Sequence, residues 1–387
     1  PEAFYATHAQ DILSALGILT SGGTAANLTS LWCARNLALG RDGDFPGVES
    51  EGLPRALAHY GAADAVIVGS QLLHYSFKKA AGILGLGERN LLTVPAGRDN
   101  RIDLAALRTQ LELCRERGPR VVARVGIAGT TETGSVDPLA AMADLAAEAQ
   151  VHFHVDAAWG GPTLFSARNR HLLRGIERAD TVTIDGHKQL YLPMGIGMLL
   201  FRDPHAAAAI EKQARYTLRA GSGDLGKRSL EGSRPAMVLY LHAALHLIGR
   251  RGYEALIDEG IRKARAMADA IRRRPEFELL AEPELNLLVY RYIPEGLRDR
   301  ARDGTLDEAA NRTINELNDA LQRTQGRAGQ SFVSRTALET TRYGRSVPIV
   351  ALRVVLANPL TTDDDILAVL DEQVARAPAL ERSGEKE

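Results

Sequence analysis

The chain has 387 residues, of which 45% are hydrophobic and 25% are charged, a composition typical of globular proteins. Its formal net charge of −1 gives no reason to expect nucleic acid or an anionic membrane surface as a partner. No apolar run approaches the roughly 20 residues of a membrane span, and the first residues do not resemble a signal peptide. The length predicts one large domain and a smaller one, and Cys33 and Cys114 are expected to be buried thiols of a reducing, cytoplasmic compartment.

The first two-thirds of the chain predicts alternating helices and strands. Residues 17–35 indicate a turn followed by a helix, and two further helices are predicted at 75–85 and at 137–150, the latter with Asp137 as N-cap. The predicted strands are 65–70, 120–131, 151–161, 181–186 and 196–203. Strands separated by helices of about 10–15 residues predict a largely parallel sheet with helices on both faces.

The pattern changes from Ser233 onwards. In chain order, the later residues predict long helices at 233–249 and 253–274, a strand or strand pair within 277–294 broken at Pro283, a helix at 306–325, strands around 331–339 and 349–358, and a helix opened by 361–365. Within that last opening, Thr362 and Asp365 resemble a capping box. The prediction is therefore a large domain at 1–240, a small α+β domain at 241–380, and a disordered charged tail at 381–387.

The segment "TSGGTAAN" (20–27) places two glycines at the mouth of a predicted helix. Glycines let the backbone approach a ligand closely, and the free N–H groups of a helix start favour a phosphate. The segment is not GxGxxG, and no ribose-binding acid follows at the expected distance, so a dinucleotide is disfavoured. A glycine-rich helix start without a ligand is the alternative interpretation.

Two ionisable residues end predicted apolar strands. Asp156 is followed by the small residues Ala157 and Ala158, which would admit a flat ring, although an Asp that caps a turn is the alternative. Lys188 follows the next apolar run, and a lysine there is costly to bury unless it is paired or chemically used; the alternative is an exposed loop lysine. A phosphate cradle, an acid and a lysine are together the groups that hold pyridoxal 5′-phosphate. His74, at a strand-to-helix junction, is interpreted either as a ring-stacking residue or as a core histidine.

With these segments, the chain resembles the group II pyridoxal-phosphate-dependent amino acid decarboxylases over essentially its whole length. Further matching segments are "GTTETGSVDPL" (129–139), "NRHLLRGIERAD" (169–180), "LEGSRPA" (230–236) and "LRVVLANPLTT" (352–362). The segments "IDGHKQLYLPMG" (184–195) and 215–236 resemble a bacterial subgroup of aspartate or glutamate 1-decarboxylases. The resemblance implies an α/β fold of the pyridoxal-phosphate-dependent transferase type I. It also implies a homodimer with shared active sites, and α-decarboxylation of aspartate to β-alanine or of glutamate to 4-aminobutyrate.

The resemblance also implies roles for individual residues. Lys188 carries the cofactor as a Schiff base, Asp156 pairs with the pyridine nitrogen, and His74 and Ala158 pack on opposite faces of the ring. The other implied contacts are Gly23 and Thr24 at the phosphate, Asp185 and His187 beside them, Thr131 near the ring's acid partner or its O3′ side, and Arg353 on the substrate carboxylate. No metal is implied.

The sequence departs from the family pattern in two places. It lacks the family's N-terminal segment, which wraps the partner subunit. Where the family's mobile loop carries a tyrosine that protonates the product, this chain has "SGD" (222–224), and the nearby Tyr216 is out of register. The proton donor stays open, as do two other functions: a different fold-type-I reaction, such as transamination or desulfurisation, and a catalytically silent, cofactor-binding paralogue or partner subunit.

The segment 213–234 is rich in cations: Arg215, Arg219, Lys227, Arg228 and Arg234, set against Asp224 and Glu231. These cations would suit a dicarboxylic substrate. Solvated loop cations are the alternative interpretation.

Overall fold

The computed structural model describes residues 2–9, 11–214, 221–339, 342–343 and 348–384. The chain forms two compact units, of which the first comprises Pro1–Pro95, Ile102–Gly129 and Val136–Tyr253, and the second comprises Ala96–Arg101, Thr130–Ser135 and Glu254–Glu387. The main division follows Tyr253. Two short loops of the larger region also belong to the second unit.

The first unit contains a seven-stranded sheet whose strand order is β1-β7-β6-β5-β4-β2-β3. Its strands are β1 (Gly17–Thr20), β2 (Ala65–Ser70), β3 (Leu91–Val94), β4 (Arg120–Ile127), β5 (Phe153–Asp156), β6 (Thr181–Asp185) and β7 (Gly197–Phe201). All pairs from β3 to β6 are parallel, whereas β7 and β1 pair antiparallel at the other edge. Every residue of β2 and β5 is buried, as expected of a parallel sheet covered on both faces. The five predicted strands and the α/β class are confirmed.

The helices of the first unit are α1 (Glu2–His8), α2 (Gly23–Ala38), α3 (Val48–Glu51), α4 (Leu53–Tyr60), α5 (Ser76–Ile83), α6 (Leu104–Arg117), α7 (Leu139–Ala149) and α8 (Val238–Leu247). The prediction of a turn at the start of 17–35 is wrong, since Gly17–Thr20 form strand β1. That short apolar run pairs with β7, and only tertiary pairing makes four such residues a strand.

The prediction of Asp137 as an N-cap is also wrong. Helix α7 begins after Pro138, and the Asp137 carboxylate instead accepts hydrogen bonds from the backbone N–H groups of Ile102 (2.8 Å) and Ile127 (2.9 Å). Both backbone groups are buried, so the carboxylate satisfies two donors that would otherwise be costly to leave unpaired.

The second unit contains an antiparallel sheet of order β10-β11-β9-β8, with β8 (Phe277–Leu279), β9 (Leu287–Tyr292), β10 (Ser334–Leu338) and β11 (Ile349–Val355). Its helices are α9 (Gly249–Arg272), which contains the boundary, α10 (Arg298–Arg302), α11 (Glu308–Ala328) and α12 (Asp363–Gly384). The predicted capping box is present: Thr362 N–H donates to Asp365 Oδ2 (2.8 Å), and Asp365 N–H donates to Thr362 Oγ1 (3.1 Å).

Helix α12 continues to Gly384, so the first residues of the predicted disordered tail are helical. Leu380, just before them, packs against the core of the second unit and so stabilises the end of the helix. Residues 385–387 lie outside the described residues.

Within the described ranges, no helix has the length and apolarity needed to cross a membrane. Cys33 and Cys114 are buried free thiols, as predicted.

Candidate active site

Strands β5 and β6 end side by side, and each ends on a buried aspartate, Asp156 and Asp185. Ala158, two positions after Asp156, makes hydrogen bonds to the last residues of both strands. Ala158 N–H donates to Asp156 Oδ1 (3.1 Å), and Ala158 O accepts from Asp185 N–H (3.2 Å). The carboxyl ends of parallel strands are where open α/β sheets bind ligands, so this edge is the natural place for a site.

A tight turn after β6 aims Lys188 at this edge. Gly186 N–H donates to Ile196 O (2.9 Å), and a Cβ at Gly186 would lie only 2.8 Å from Ile196 Cγ2, so a larger residue would force the turn apart. Lys188 Nζ lies 2.9 Å from Asp185 Oδ2. The side chain of Asp185 is 3% exposed and that of Lys188 is 32% exposed, so the amine is paired and still accessible.

His187 lies on the other side of Asp185. Its Nδ1 lies 3.1 Å from Ile196 O, and its Nε2 lies 3.6 Å from Asp185 Oδ2. Because a carbonyl oxygen can only accept, Nδ1 carries a proton, and the ring is held at a fixed angle. The histidine also faces the start of α2, where a Cβ at Gly22 would lie 3.5 Å from its Cε1.

The start of α2 is built to receive an anion. Its N-cap is Gly22, so no side chain caps the first-turn N–H groups of Gly23, Thr24 and Ala25. A Cβ at Gly23 would lie 2.8 Å from Asp185 Oδ2, which explains why only glycine fits there. Exposed Thr24 follows at the second helical position. Uncapped N–H groups and the helix dipole together favour a phosphate.

Asp156 and His74 belong to one hydrogen-bonded cluster. Asn27 Nδ2 donates to Asp156 Oδ2 (2.8 Å) and to Ser76 Oγ (3.1 Å), and Ser76 Oγ lies 2.9 Å from His74 Nδ1. Burial lowers the pKa of His74; the Asp156 carboxylate opposes this shift and the Lys188 ammonium adds to it. Neither Asn27 nor Ser76 was predicted from the sequence. A polar residue one helical turn after Gly23 and Thr24 was the available signal for Asn27.

Thr131 and Arg353 belong to the second unit. Arg353, on β11, donates from Nε to Thr131 O (2.7 Å), and its Nη1 lies 3.5 Å from Ser334 Oγ. Burial lowers the pKa of Arg353, and the carboxylate of Glu132 opposes that shift. The arginine is therefore oriented by a backbone carbonyl and half-buried rather than solvated.

Two cations of the segment 213–234 are buried rather than solvated. Lys227 Nζ donates to Ser222 O (2.8 Å), and Arg228 Nε donates to Glu211 Oε2 (2.9 Å); both side chains are 3% exposed. They are structural residues rather than loop cations or ligands for a substrate carboxylate. Arg215, Tyr216 and Arg219 lie outside the described residues.

The residues around the ends of β5 and β6 have the chemical groups that pyridoxal phosphate needs. The uncapped start of α2 offers N–H donors for a phosphate, Asp156 offers an acceptor for a ring N–H, and Lys188 offers an accessible amine. Ala158 is small and buried beside Asp156. Asp185 Oδ1 is buried and accepts no hydrogen bond from the residues that the structure describes, so this carboxylate has capacity for a further donor.

Comparison with known proteins gives the same assignment. The family described as the pyridoxal-dependent decarboxylase conserved domain matches residues 1–293. An aspartate 1-decarboxylase from Aliivibrio fischeri is 46% identical over 374 residues, which is 96% of this chain and 68% of that protein. An L-2,4-diaminobutyrate decarboxylase from Rhizobium meliloti is 34% identical, over 92% of this chain and 65% of that protein. The chain thus spans about two-thirds of the length of these relatives.

A solved structure shares the fold. The crystal structure of mouse CSAD superimposes with a TM-score of 0.82 at 27% sequence identity, and the match covers 97% of this chain and 75% of that chain. Together with the Asp156–Lys188 edge and the helix start at Gly23, these matches make pyridoxal phosphate the cofactor and fold type I the architecture. The chain belongs to the pyridoxal-dependent decarboxylase family, as an amino acid decarboxylase.

Proposed function

We propose that the substrate is an acidic amino acid, L-aspartate in first place and L-glutamate in second, and that the product is the corresponding amine, β-alanine or 4-aminobutyrate. The observation that carries the proposal is the 46% identity to an aspartate 1-decarboxylase, which extends over 96% of the chain. The alternatives are another fold-type-I reaction and a silent, cofactor-binding paralogue. The test below separates all three.

Each residue of the site has a separate role in such a reaction. Pyridoxal phosphate, when bound, supplies the electron sink for the carbanion left by loss of carbon dioxide. Asp156 holds a proton on the ring nitrogen, because an adjacent carboxylate raises the pKa of that nitrogen. Asp185 receives the Lys188 ammonium whenever the lysine is not bonded to the cofactor, since these groups lie 2.9 Å apart. His74 and Ala158 would cover the two faces of the ring, Gly23 and Thr24 would donate to the phosphate, and Asp185 and His187 would lie beside them. Thr131 is assigned to the O3′ side or the ring's acid partner.

Release of carbon dioxide from a panel of amino acids tests this function. The panel is aspartate, glutamate, cysteine sulfinate, 2,4-diaminobutyrate, tyrosine and dihydroxyphenylalanine. The highest kcat/KM is expected for aspartate or glutamate. A basic or aromatic substrate at the top of the panel would refute the acidic assignment but leave decarboxylation standing. Cofactor binding with no carbon dioxide from any member would instead favour the silent paralogue, and a keto acid or sulfide product another fold-type-I reaction.

Arg353 is assigned to the α-carboxylate of the substrate. Thr131 O fixes the guanidinium through Nε, and this leaves the Nη side of the planar fork to meet a carboxylate. The cation for the side-chain carboxylate is assigned to the segment 213–234. The side chains of Lys227 and Arg228 are only 3% exposed, whereas that of Arg234 is 22% exposed and makes a long contact of 4.0 Å with Glu231, so Arg234 is the candidate among the described residues.

Replacing Arg353 by lysine should lower kcat/KM for every accepted amino acid by about 10- to 100-fold, because an ammonium cannot reproduce a bidentate guanidinium contact. Steady-state kinetics on the panel measure this change. Arg335→Lys is the matched control, since Arg335 lies on the neighbouring strand β10 and pairs with Asp319. Equal kinetics for the two variants would remove Arg353 from the site.

We infer a cytoplasmic homodimer, and helix α8 supports the dimer. None of the residues of "VLYLHAALHL" (238–247) is buried, although the helix carries no charged side chain; Leu239 is 64% exposed and Leu247 is 88% exposed. Such an apolar face on a monomer marks an interface. An uncharged face suits contact with its own copy across a two-fold axis. The cytoplasmic location rests on the two buried free thiols.

The same face supports shared active sites. A cavity of about 420 Å³ is lined by Ser21, Arg234 and Val238, among others, and so extends from the start of α8 to the loop before α2. A second copy that packs on α8 would reach this cavity. The partner is therefore proposed to complete the site beside the cofactor phosphate.

The substitution Leu247→Glu should weaken the dimer by on the order of tenfold or more, because a buried charge without a partner is unfavourable at an interface. Sedimentation velocity over a concentration series measures the dissociation constant. Leu360→Glu, at a leucine that is 83% exposed elsewhere, is the control and should leave the dimer intact. A wild-type protein that sediments as a monomer, or a dimer unaffected by Leu247→Glu, would contradict the assignment.

A further inference from the structure

His154 and Asp156 lie two positions apart on β5, and so their side chains point to the same face of the sheet. Both are buried, and Asn27 of α2 lies between them. Asn27 Nδ2 lies 2.8 Å from Asp156 Oδ2, and Asn27 Oδ1 lies 3.1 Å from His154 Nε2. One amide therefore connects the acid at the ring nitrogen to a histidine deeper in the core.

Hydrogen-bond chemistry sets the orientation of each group in this chain. A carboxylate only accepts, so the NH₂ group of Asn27 faces Asp156 and its carbonyl faces His154. That carbonyl also only accepts, so His154 must donate from Nε2. Burial lowers the pKa of His154 to about 3, so the ring is neutral and its Nδ1 is an acceptor. The hydroxyl groups of Ser30 and Thr181, each 3.0 Å from Nδ1, supply the donor.

A second branch leads to His74. Asn27 Nδ2 also donates to Ser76 Oγ, so the Ser76 hydroxyl proton is available for His74 Nδ1, 2.9 Å away. The backbone N–H of Ser76 approaches the same nitrogen at 3.3 Å. Two donors that converge on Nδ1 make it an acceptor, and neutral His74 then carries its proton on Nε2.

We propose that Asn27 is a positioning residue for two catalytic groups at once: it holds the Asp156 carboxylate in place for the ring nitrogen, and through Ser76 it sets His74 in the Nε2–H tautomer. This inference deepens the proposed function and rests on it for the roles of Asp156 and His74. The His154, Ser30 and Thr181 side chains form the support that fixes the Asn27 amide in one orientation.

Loss of the Asn27 amide should therefore affect both groups together. Of its hydrogen bonds to described residues, Asp156 would lose the shorter and keep the one from the Ala158 N–H at 3.1 Å. The Ser76 hydroxyl oxygen would no longer accept a hydrogen bond from Asn27, so the hydroxyl could rotate and its proton would no longer point at His74 Nδ1. A purely structural asparagine would change stability without either effect.

Affinity for pyridoxal phosphate and the pH dependence of its absorbance are the first readouts. In Asn27→Ala, the dissociation constant for the cofactor should rise on the order of tenfold, and the absorbance titration of bound cofactor should shift. The matched control is Asn36→Ala, on the same helix, where a buried amide donates to Ala209 O (2.8 Å). The control should lose comparable thermal stability and bind cofactor within about twofold of the wild type.

The tautomers of His74 and His154 are the second readout, from long-range ¹H–¹⁵N correlation spectra of ¹⁵N-histidine apoprotein. His74→Gln assigns the His74 signals among the ten histidines. Both rings should be Nε2–H in the wild type. Ser76→Ala should shift His74 toward Nδ1–H and leave His154 unchanged, whereas Asn27→Ala should alter both rings. Ser76→Ala keeps the Asn27–Asp156 contact, so the test survives if Asn27→Ala fails to fold.

An Nδ1–H tautomer at wild-type His74 would overturn the proposal, as would an Asn27→Ala variant that binds cofactor as tightly as Asn36→Ala. Neither readout uses a substrate. The two proposals can therefore fail separately. If the tautomers and affinities are as expected but the protein decarboxylates no acidic amino acid, the proposed function is refuted and the role of Asn27 stands.

Discussion

Replacing Lys188 by alanine is expected to abolish covalent attachment of the cofactor and to lower carbon dioxide release by on the order of a thousandfold or more, equivalent to ~4 kcal/mol or more in the barrier. The reason is geometric. Lys188 is an accessible amine just after β6, and its Nζ lies 2.9 Å from the carboxylate of Asp185, which itself lies beside Gly23 at the start of α2. No other group can replace a primary amine in forming a Schiff base.

Borohydride reduction followed by peptide mapping measures the attachment directly. Wild-type protein should carry reduced cofactor on the peptide that contains Lys188, and Lys188→Ala should carry none. Lys212→Ala is the control, because Lys212 is an exposed lysine of the same unit that pairs with Glu49. A label on any lysine other than Lys188 would end this assignment.

The substitution Asp156→Asn should preserve the fold and retain bound cofactor, but lower kcat by on the order of a hundredfold, equivalent to ~2.7 kcal/mol. An amide cannot raise the pKa of the ring nitrogen as a carboxylate does, so the sink loses its positive charge. The neighbouring Asn27 amide and the Ala158 N–H cannot replace the lost charge, since both only donate hydrogen bonds, one to each oxygen of Asp156.

Asp137→Asn is the control for loss of a buried carboxylate in the same unit. The Asp137 carboxylate accepts from two buried backbone N–H groups, at Ile102 and Ile127, and is not assigned to the cofactor or the substrate. This variant should lose stability but keep kcat within about threefold of the wild type, whereas Asp156→Asn should show the reverse pattern. An Asp156→Asn enzyme within about threefold of wild-type kcat would contradict the role given to Asp156.

The predictions made from the sequence were strongest where local chemistry sufficed. Continuous apolar runs such as 65–70 identify strands buried on both faces, and the Thr362–Asp365 spacing identifies a capping box, because both depend on residues that are neighbours in the chain. The segment Asp185–Lys188 likewise carries its own signal, since a strand that ends in charged residues is costly unless they are used.

Local chemistry failed where the partner of a residue is distant in sequence. Asp137 looks like an N-cap, yet its carboxylate bonds to Ile102 and Ile127. Lys227 and Arg228 look like loop cations, yet they are buried and held by Ser222 and Glu211. A charge in a polar segment has the same local appearance whether it is solvated or buried, and only the tertiary environment distinguishes the two.

By itself, then, the sequence determined the α/β class and the cofactor, because glycines at a helix start, a strand-end acid and a strand-end lysine together suit pyridoxal phosphate. Its assignment of individual residues to the cofactor stays a prediction. The tertiary structure alone decided how these groups are held. It placed Asn27 of α2 between Asp156 and His154, across more than a hundred residues of chain, and it paired Arg353 with Thr131. Hydrogen bonds of this kind form only when folding brings remote segments within about 3 Å, a distance that no periodicity or motif encodes.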